Sequence, residues 1–392
     1  MKFASTLLTV ILGVGVIQAQ TATSVLFVGN SFTFGAGSPV MFYRSGTVTD
    51  LNDEGIGGVP ALFKSFATQA GLAYDVYLEA RGGSGLEFHL ENKRDVLGRR
   101  AWDNVVMHGQ STLDFEKPGD PAKIVATSRQ MAEFLRERNP AVQLYLMATW
   151  SRADQTYRGN GPWSGKPIEA MARDVRAAYD KAAASAPGVK AVIPVGEAWT
   201  RAMQAGVADP NPYDGIEFGK VDLWTADHYH ASMHGYYLEA LVVFGSLTGR
   251  DPRALGDNEC SAYELGLSRP QVKALQQIAF DQLGSAVTPA PAITAAPGNP
   301  KRCVADIPIG ARESVLTSGR FSVQSNRRGT HGIDHECRRR LLCRLRDGQG
   351  VGGMPRPLYA QRHVSRPGRA APRGEDAGAV HRLDERHDDG PA

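Results

Sequence analysis

Between residues 25 and 193 short apolar runs alternate with stretches whose apolar positions recur every three or four residues. The runs at 25–28, 74–78, 104–107, 142–147 and 189–193 are bounded by Gly, Pro, Asn or charged residues, the pattern of buried strands. Between them, Leu62, Phe63, Phe66, Ala67 and Ala70 recur at helical spacing, as do Ile124, Met131, Phe134 and Leu135, and then Ile168, Met171, Val175 and Tyr179. Such alternation predicts a parallel sheet covered on both faces. With right-handed crossovers it becomes a three-layer α/β/α sandwich around a flavodoxin-like parallel five-stranded sheet.

A further helix is predicted to start after Ser232, a good N-cap, and to run through Tyr236, Leu238, Leu241, Val242 and Leu247 to Gly249. An amphipathic stretch at 271–283 packs behind it. The pattern then fails. Residues 286–300 read as a Pro/Ala linker, and 301–392 are rich in arginine without a sustained apolar period. That tail reads either as a basic appendage for an acidic polymer or cell surface, or as a disordered or frame-shifted end. The working domain is therefore placed at 21–285.

The N-terminus has its own pattern: Lys2, an apolar stretch from Leu7 to Ile17, then Gln18-Ala19-Gln20. A positive start, a short apolar segment and a small residue before cleavage describe a signal peptide over 1–20. The mature protein is then expected to be periplasmic or secreted, without stable membrane insertion. Of the 392 residues 42% are hydrophobic and 22% charged, enough to bury a full core. The net charge of +3 carries no nucleic-acid reading, because the positive excess lies in the tail. All four cysteines, Cys260, Cys303, Cys337 and Cys343, lie toward the C-terminal end, from residue 260 on. Export permits disulfides, with three connectivities open, and a thiol nucleophile is disfavoured.

Candidate chemistry sits at strand ends. Val25-Leu26-Phe27-Val28-Gly29-Asn30-Ser31 is a buried strand that delivers Ser31 to the carboxyl edge of the sheet, where open α/β folds place their ligands. Two hundred residues on, Asp227-His228-Tyr229-His230 supplies an acid and a base. A serine hydroxyl needs an imidazole to take its proton, and the imidazole needs a partner on its other nitrogen. His230 is the expected base and Asp227 its orienting acid, while His228, adjacent to Asp227, is expected to line the cleft.

Gly29-Asn30-Ser31 after the first strand resembles the nucleophile block of SGNH (GDSL-type) hydrolases, with Asn30 where the better-known form has Asp. Asp227-x-x-His230 before the final core helix resembles that family's terminal block. The resemblance implies two more blocks. Arg81-Gly82-Gly83-Ser84-Gly85 follows the second strand, with Gly83 as the oxyanion glycine and Gly85 as the other register. Gln110, in His108-Gly109-Gln110-Ser111, stands where the family has an Asn donor. The oxyanion hole is then Ser31, Gly83 and Gln110, in a two-step acyl-enzyme ester hydrolysis that needs no cofactor and no metal.

Asn30, Gly85, His108, Trp150 and His228 are further candidates for contact with substrate. Aromatic-containing polar insertions at 36–58 and 150–163 favour an acylated small molecule or polysaccharide, or an aryl ester of a plant polymer. No Gly-x-Ser-x-Gly elbow occurs, which argues against an α/β-hydrolase lipase. Two rival readings remain. His228, His230 and His234 could hold a metal for a hydrolytic water, or the domain could be an exported carbohydrate-binding module on a hydrolase scaffold.

Overall fold

The computed structural model describes residues 21–289. The expected signal peptide over 1–20, the tail 301–392, Cys303, Cys337 and Cys343 lie outside the described residues. The elements in chain order are β1 (Thr23–Gly29), α1 (Ser31–Phe34), β2 (Thr49–Asp50), α2 (Gly58–Gln69), β3 (Tyr74–Ala80), α3 (Leu86–Asn92) and α4 (Arg94–Leu97). There follow β4 (Asn104–Met107), α5 (Ala122–Arg138), β5 (Gln143–Ala148), α6 (Glu169–Ser185), β6 (Val189–Pro194), α7 (Val195–Gln204), α8 (Met233–Thr248), α9 (Cys260–Glu264) and α10 (Arg269–Leu283).

All pairings are parallel, in the order β2-β3-β1-β4-β5-β6. The five strands read from the apolar runs are all present, and without β2 their order is the flavodoxin-like one. The sheet has six strands rather than five. The extra strand is a two-residue edge inside the 36–58 insertion, paired through Thr49↔Tyr77 and Asp50↔Leu78. It carries no apolar run because it is short and lies at the edge; the Asp50 carboxylate anchors it by accepting from the N–H groups of Asn52, Glu54 and Ile56.

β1 explains the layering. Its side chains alternate between faces, so Val25 and Phe27 pack with Leu62 and Phe66 of α2 and with Leu238 and Leu241 of α8. Leu26 and Val28 pack on the other face with Met131 and Leu135 of α5 and Val175 of α6. Burial on both faces is why the strand reads as an unbroken apolar run. α8 is apolar nearly all round for the same reason: α2, α7 and α10 enclose it. Its ends are as expected, with the Ser232 hydroxyl accepting from the Gly235 N–H at 3.3 Å and Gly249 closing the helix at φ 66°. Packing continues past α10 to Val287, which is buried.

The chain leaves β1 toward β3 on one side and later enters β4 on the other. This reversal opens a crevice at the carboxyl ends of β1, β3 and β4. The loops after those three strands carry Ser31, Gly83 and Gln110.

Candidate active site

Ser31 is the first residue of α1, a single turn ended by Gly35 at φ 82°. Asn30 caps it, its Oδ1 accepting from the Phe32 N–H at 3.1 Å. The amide of Asn30 donates to the carbonyls of Ser84 (2.9 Å) and Gly109 (3.1 Å). One side chain thus fastens the Ser31 turn to the loops after β3 and β4. An aspartate at this position would set an acceptor against two carbonyls, so the Asn-for-Asp departure has a local reason. Asn30 is buried and its polar atoms are committed, so it builds the site rather than touching substrate.

Gly29 is required by close approach. A Cβ there would overlap His108 Nε2 and Thr33 Oγ1, which are hydrogen-bonded to each other at 2.7 Å. The Gly109 carbonyl near His108 Nδ1 (3.1 Å) can only accept, so Nδ1 donates and Nε2 accepts from Thr33. Burial pushes the His108 imidazole down to about 4, and it stays neutral. His108 is 1% exposed and cannot reach substrate. It braces α1 from beneath, which corrects its place among the candidates for contact with substrate.

The loop after β3 turns at Gly83, whose φ of 73° suits glycine. Its Cβ would meet nothing within 4 Å, so the requirement is conformational. Gly85 differs: it is the N-cap of α3 in extended conformation, and a Cβ there would strike the Glu87 carboxylate. The Arg81 N–H donates to the Gly29 carbonyl at 3.0 Å, holding this loop beside the nucleophile turn. The Gln110 amide donates to the Gly83 carbonyl at 3.3 Å, and its Oε1 accepts from the Ser111 N–H. Gln110 therefore meets Gly83 rather than Gly85, with one amide hydrogen to spare. The Ser31 N–H, at the first helical position, has no intrahelical partner.

The terminal block is a turn built by one carboxylate. Asp227 Oδ1 accepts from the Thr225 hydroxyl (2.7 Å) and from the N–H groups of Tyr229 and His230 (2.9 Å each). Its Oδ2 receives His230 Nδ1 at 2.6 Å. Burial alone would raise the Asp227 carboxyl, but the donors, led by His230 and Thr225, outweigh it and hold it well below the usual carboxylate range. His230 Nε2 is buried and has no hydrogen-bond partner among the described residues. The ring lies edge-on to Phe32, the neighbour of Ser31, at 5.8 Å between centroids. No hydrogen bond joins His230 Nε2 to the Ser31 hydroxyl in this structure.

His228 adopts φ 55°, and its ring packs on Tyr213 at 4.2 Å. His234 lies in the first turn of α8, beside Gln271. The three histidines therefore do not share a centre, and among the described residues no three His, Cys, Asp or Glu side chains are grouped to hold a metal ion.

Trp150 is also corrected. It is fully buried, stacked between Phe32 (4.0 Å, 7°) and Trp199 (4.6 Å, 5°), and its Nε1 donates to the Tyr229 carbonyl at 3.2 Å. It is a strut between the turn that carries Ser31 and the loop that carries His230. Arg152 went unread in the sequence. Its guanidinium lies 3.6 Å from the centre of the Tyr229 ring, forks onto Asp154 and donates to the Ser111 hydroxyl at 3.3 Å. The spacing Arg152-x-Asp154 beside a strand end was the one available signal.

No protein-family model and no curated protein matches the chain. Among solved structures it is similar to a DUF4886 family protein from Bacteroides uniformis (18% identity, covering 68% of this chain and 97% of that one, TM-score 0.43). It is also similar to a lipase/acylhydrolase from Enterococcus faecalis (17%, 58% and 96%, 0.39) and to a family 3 carbohydrate esterase from Clostridium thermocellum (16%, 57% and 94%, 0.37).

Proposed function

We propose that the protein is a serine ester hydrolase acting through an acyl-enzyme on short-chain acyl or aryl esters, its substrates being acylated small molecules or polysaccharides. The observation that carries this reading is the state of His230. Nδ1 is tied to a carboxylate at 2.6 Å, and Nε2 is left free in a buried setting beside the serine turn. An imidazole so held has the tautomer of a base.

In the proposed reaction His230 Nε2 takes the Ser31 hydroxyl proton as the oxygen attacks the acyl carbonyl. The Ser31 and Gly83 N–H groups and the free Gln110 amide hydrogen meet the oxyanion, each donor worth about 3 kcal/mol by precedent. His230 then protonates the leaving alcohol, and water repeats the sequence on the acyl-serine. Catalytic hydrogen bonds are often long before substrate binds, so the open Ser31–His230 contact is compatible with this chemistry. The apolar segment at 7–17 supports a periplasmic or secreted location. No helix among the described residues is long and apolar enough to cross a membrane.

The test is turnover of nitrophenyl esters and acetylated sugars by the wild type, Ser31→Ala and His230→Ala. Loss of turnover in both variants supports the reading. Wild-type turnover in Ser31→Ala overturns it, and binding of polysaccharide without any turnover would point to the binding module instead.

A further inference from the structure

A second acid–histidine pair, this one buried, lies beneath the turn that carries Ser31, and the proposed reaction leaves it without a role. Glu79 is at the end of β3 and His89 is in α3; both side chains are 0% exposed. His89 Nδ1 is 3.2 Å from Glu79 Oε1. Its Nε2 is 2.9 Å from the Gly29 carbonyl and 3.3 Å from the Ser84 hydroxyl. The carbonyl can only accept, so Nε2 carries a proton and donates. A hydrogen bond between Nδ1 and the carboxyl needs a proton on one of the two atoms. Glu79 Oε2 has no hydrogen bond among the described residues, and the nearest cation, Lys93 Nζ, is 4.0 Å away.

Such a pair is a poor way to stabilise a core. Desolvation offsets most of the attraction, and well-packed apolar residues in its place are commonly neutral or stabilising. What it contacts is more informative. Gly29 immediately precedes Asn30-Ser31, and its carbonyl also accepts from the Arg81 N–H. The Ser84 hydroxyl donates to the Arg81 carbonyl, and the Ser84 carbonyl accepts from Asn30. His89 therefore joins the last residue of the nucleophile strand to the far end of the turn that carries Gly83.

Resting on the ester-hydrolase reading, we propose that Glu79 and His89 are positioning residues that set the spacing between the Ser31 and Gly83 N–H groups, and so the geometry of the oxyanion hole, without touching substrate. Glu79 orients the imidazole; the imidazole holds Gly29 and Ser84 together. The oxyanion forms only in the transition state, so the effect falls on kcat rather than KM.

The test measures kcat and KM on a nitrophenyl ester, with thermal melting, for Glu79→Leu, which cannot bond to Nδ1, for His89→Gln and for the double variant Glu79→Leu/His89→Leu. Phosphonate titration of Ser31 counts competent sites. The expected result is a fall in kcat of up to about 100-fold with KM within a factor of two, as for a displacement of about 1 Å remote from the chemistry. The double variant is the arm that a merely structural role would not predict: it melts at or above the temperature of the single variants yet stays slow. Wild-type kcat in folded Glu79→Leu, or its recovery in the double variant, overturns the proposal. Ser31→Ala, run in parallel, separates the two claims. If it keeps wild-type turnover the hydrolase reading itself has failed, whereas its inactivity beside a fast Glu79→Leu removes only the positioning role.

Discussion

Replacing Asp227 by asparagine separates the two jobs of that carboxylate. Its Oδ1 builds the turn by accepting from Thr225, Tyr229 and His230, while Oδ2 alone meets His230 Nδ1. An asparagine with its carbonyl in the Oδ1 place keeps all three turn-building bonds. Its NH2 then faces His230 Nδ1, which must accept, so the imidazole proton moves to Nε2. Nε2 can no longer take the serine proton. The expected loss in kcat is about 10^4-fold, the size of the wrong-tautomer effect in serine hydrolases, or about 5 kcal/mol of barrier. Stability changes far less. The Asp227 side chain is 47% exposed, so solvent screening limits its contribution to about 1 kcal/mol or less. Because its folded carboxyl is held below the usual range, that contribution is present above the unfolded carboxyl pKa and lost as pH falls through the folded one. The assay is initial rates on nitrophenyl acetate from pH 6 to 9, with thermal melts across the same range. An Asp227→Asn enzyme within tenfold of wild type, alongside an inactive Ser31→Ala, would refute the tautomer argument.

Other substitutions probe the supports of the site. Asn30→Asp keeps the helix cap but turns an acceptor toward the Ser84 and Gly109 carbonyls; chemical denaturation is expected to show a loss of about 1 to 3 kcal/mol or more, and an unchanged midpoint would count against the assigned bonds. Trp150→Ala removes the centre of a buried stack and is expected to cost about 3 to 5 kcal/mol; a loss under about 1 kcal/mol would mean the strut is not needed. Glu239 in α8 is fully buried, neither carboxyl oxygen has a hydrogen bond among the described residues, and burial pushes its carboxyl well above the usual range. The unfolded chain then loses this proton at lower pH than the folded one, so stability falls as pH rises above about 4.3. Glu239→Gln is expected to remove that slope, its melting temperature gaining on wild type from pH 5 to pH 8; a constant difference would contradict the assignment.

The strands were legible because each is buried on both faces, which leaves a continuous apolar run. β2 was not, since two residues at an edge carry no pattern. The Asp227–His230 pair was legible because both members lie on one turn, three residues apart. What the sequence could not convey was the direction in which a polar or aromatic side chain at a strand end points. His108, Trp150 and Asn30 stand beside the catalytic candidates in sequence, yet all three face inward, where they brace the turn that carries Ser31. Glu79 and His89 went unread for the opposite reason. They are ten residues apart, and only the β3–α3 crossover brings the carboxylate to the imidazole.

The stack of Phe32, Trp150 and Trp199 has an optical consequence. Trp224 meets Trp199 at 5.4 Å, so three of the five tryptophans share one buried aromatic array that touches the serine turn at one end. The same array touches the base loop through the Tyr229 carbonyl. Intrinsic emission is therefore weighted toward the space between Ser31 and His230. A change in their separation when substrate or inhibitor binds will register as a shift in tryptophan fluorescence, so the approach of His230 to Ser31 can be timed by stopped flow without attaching a label.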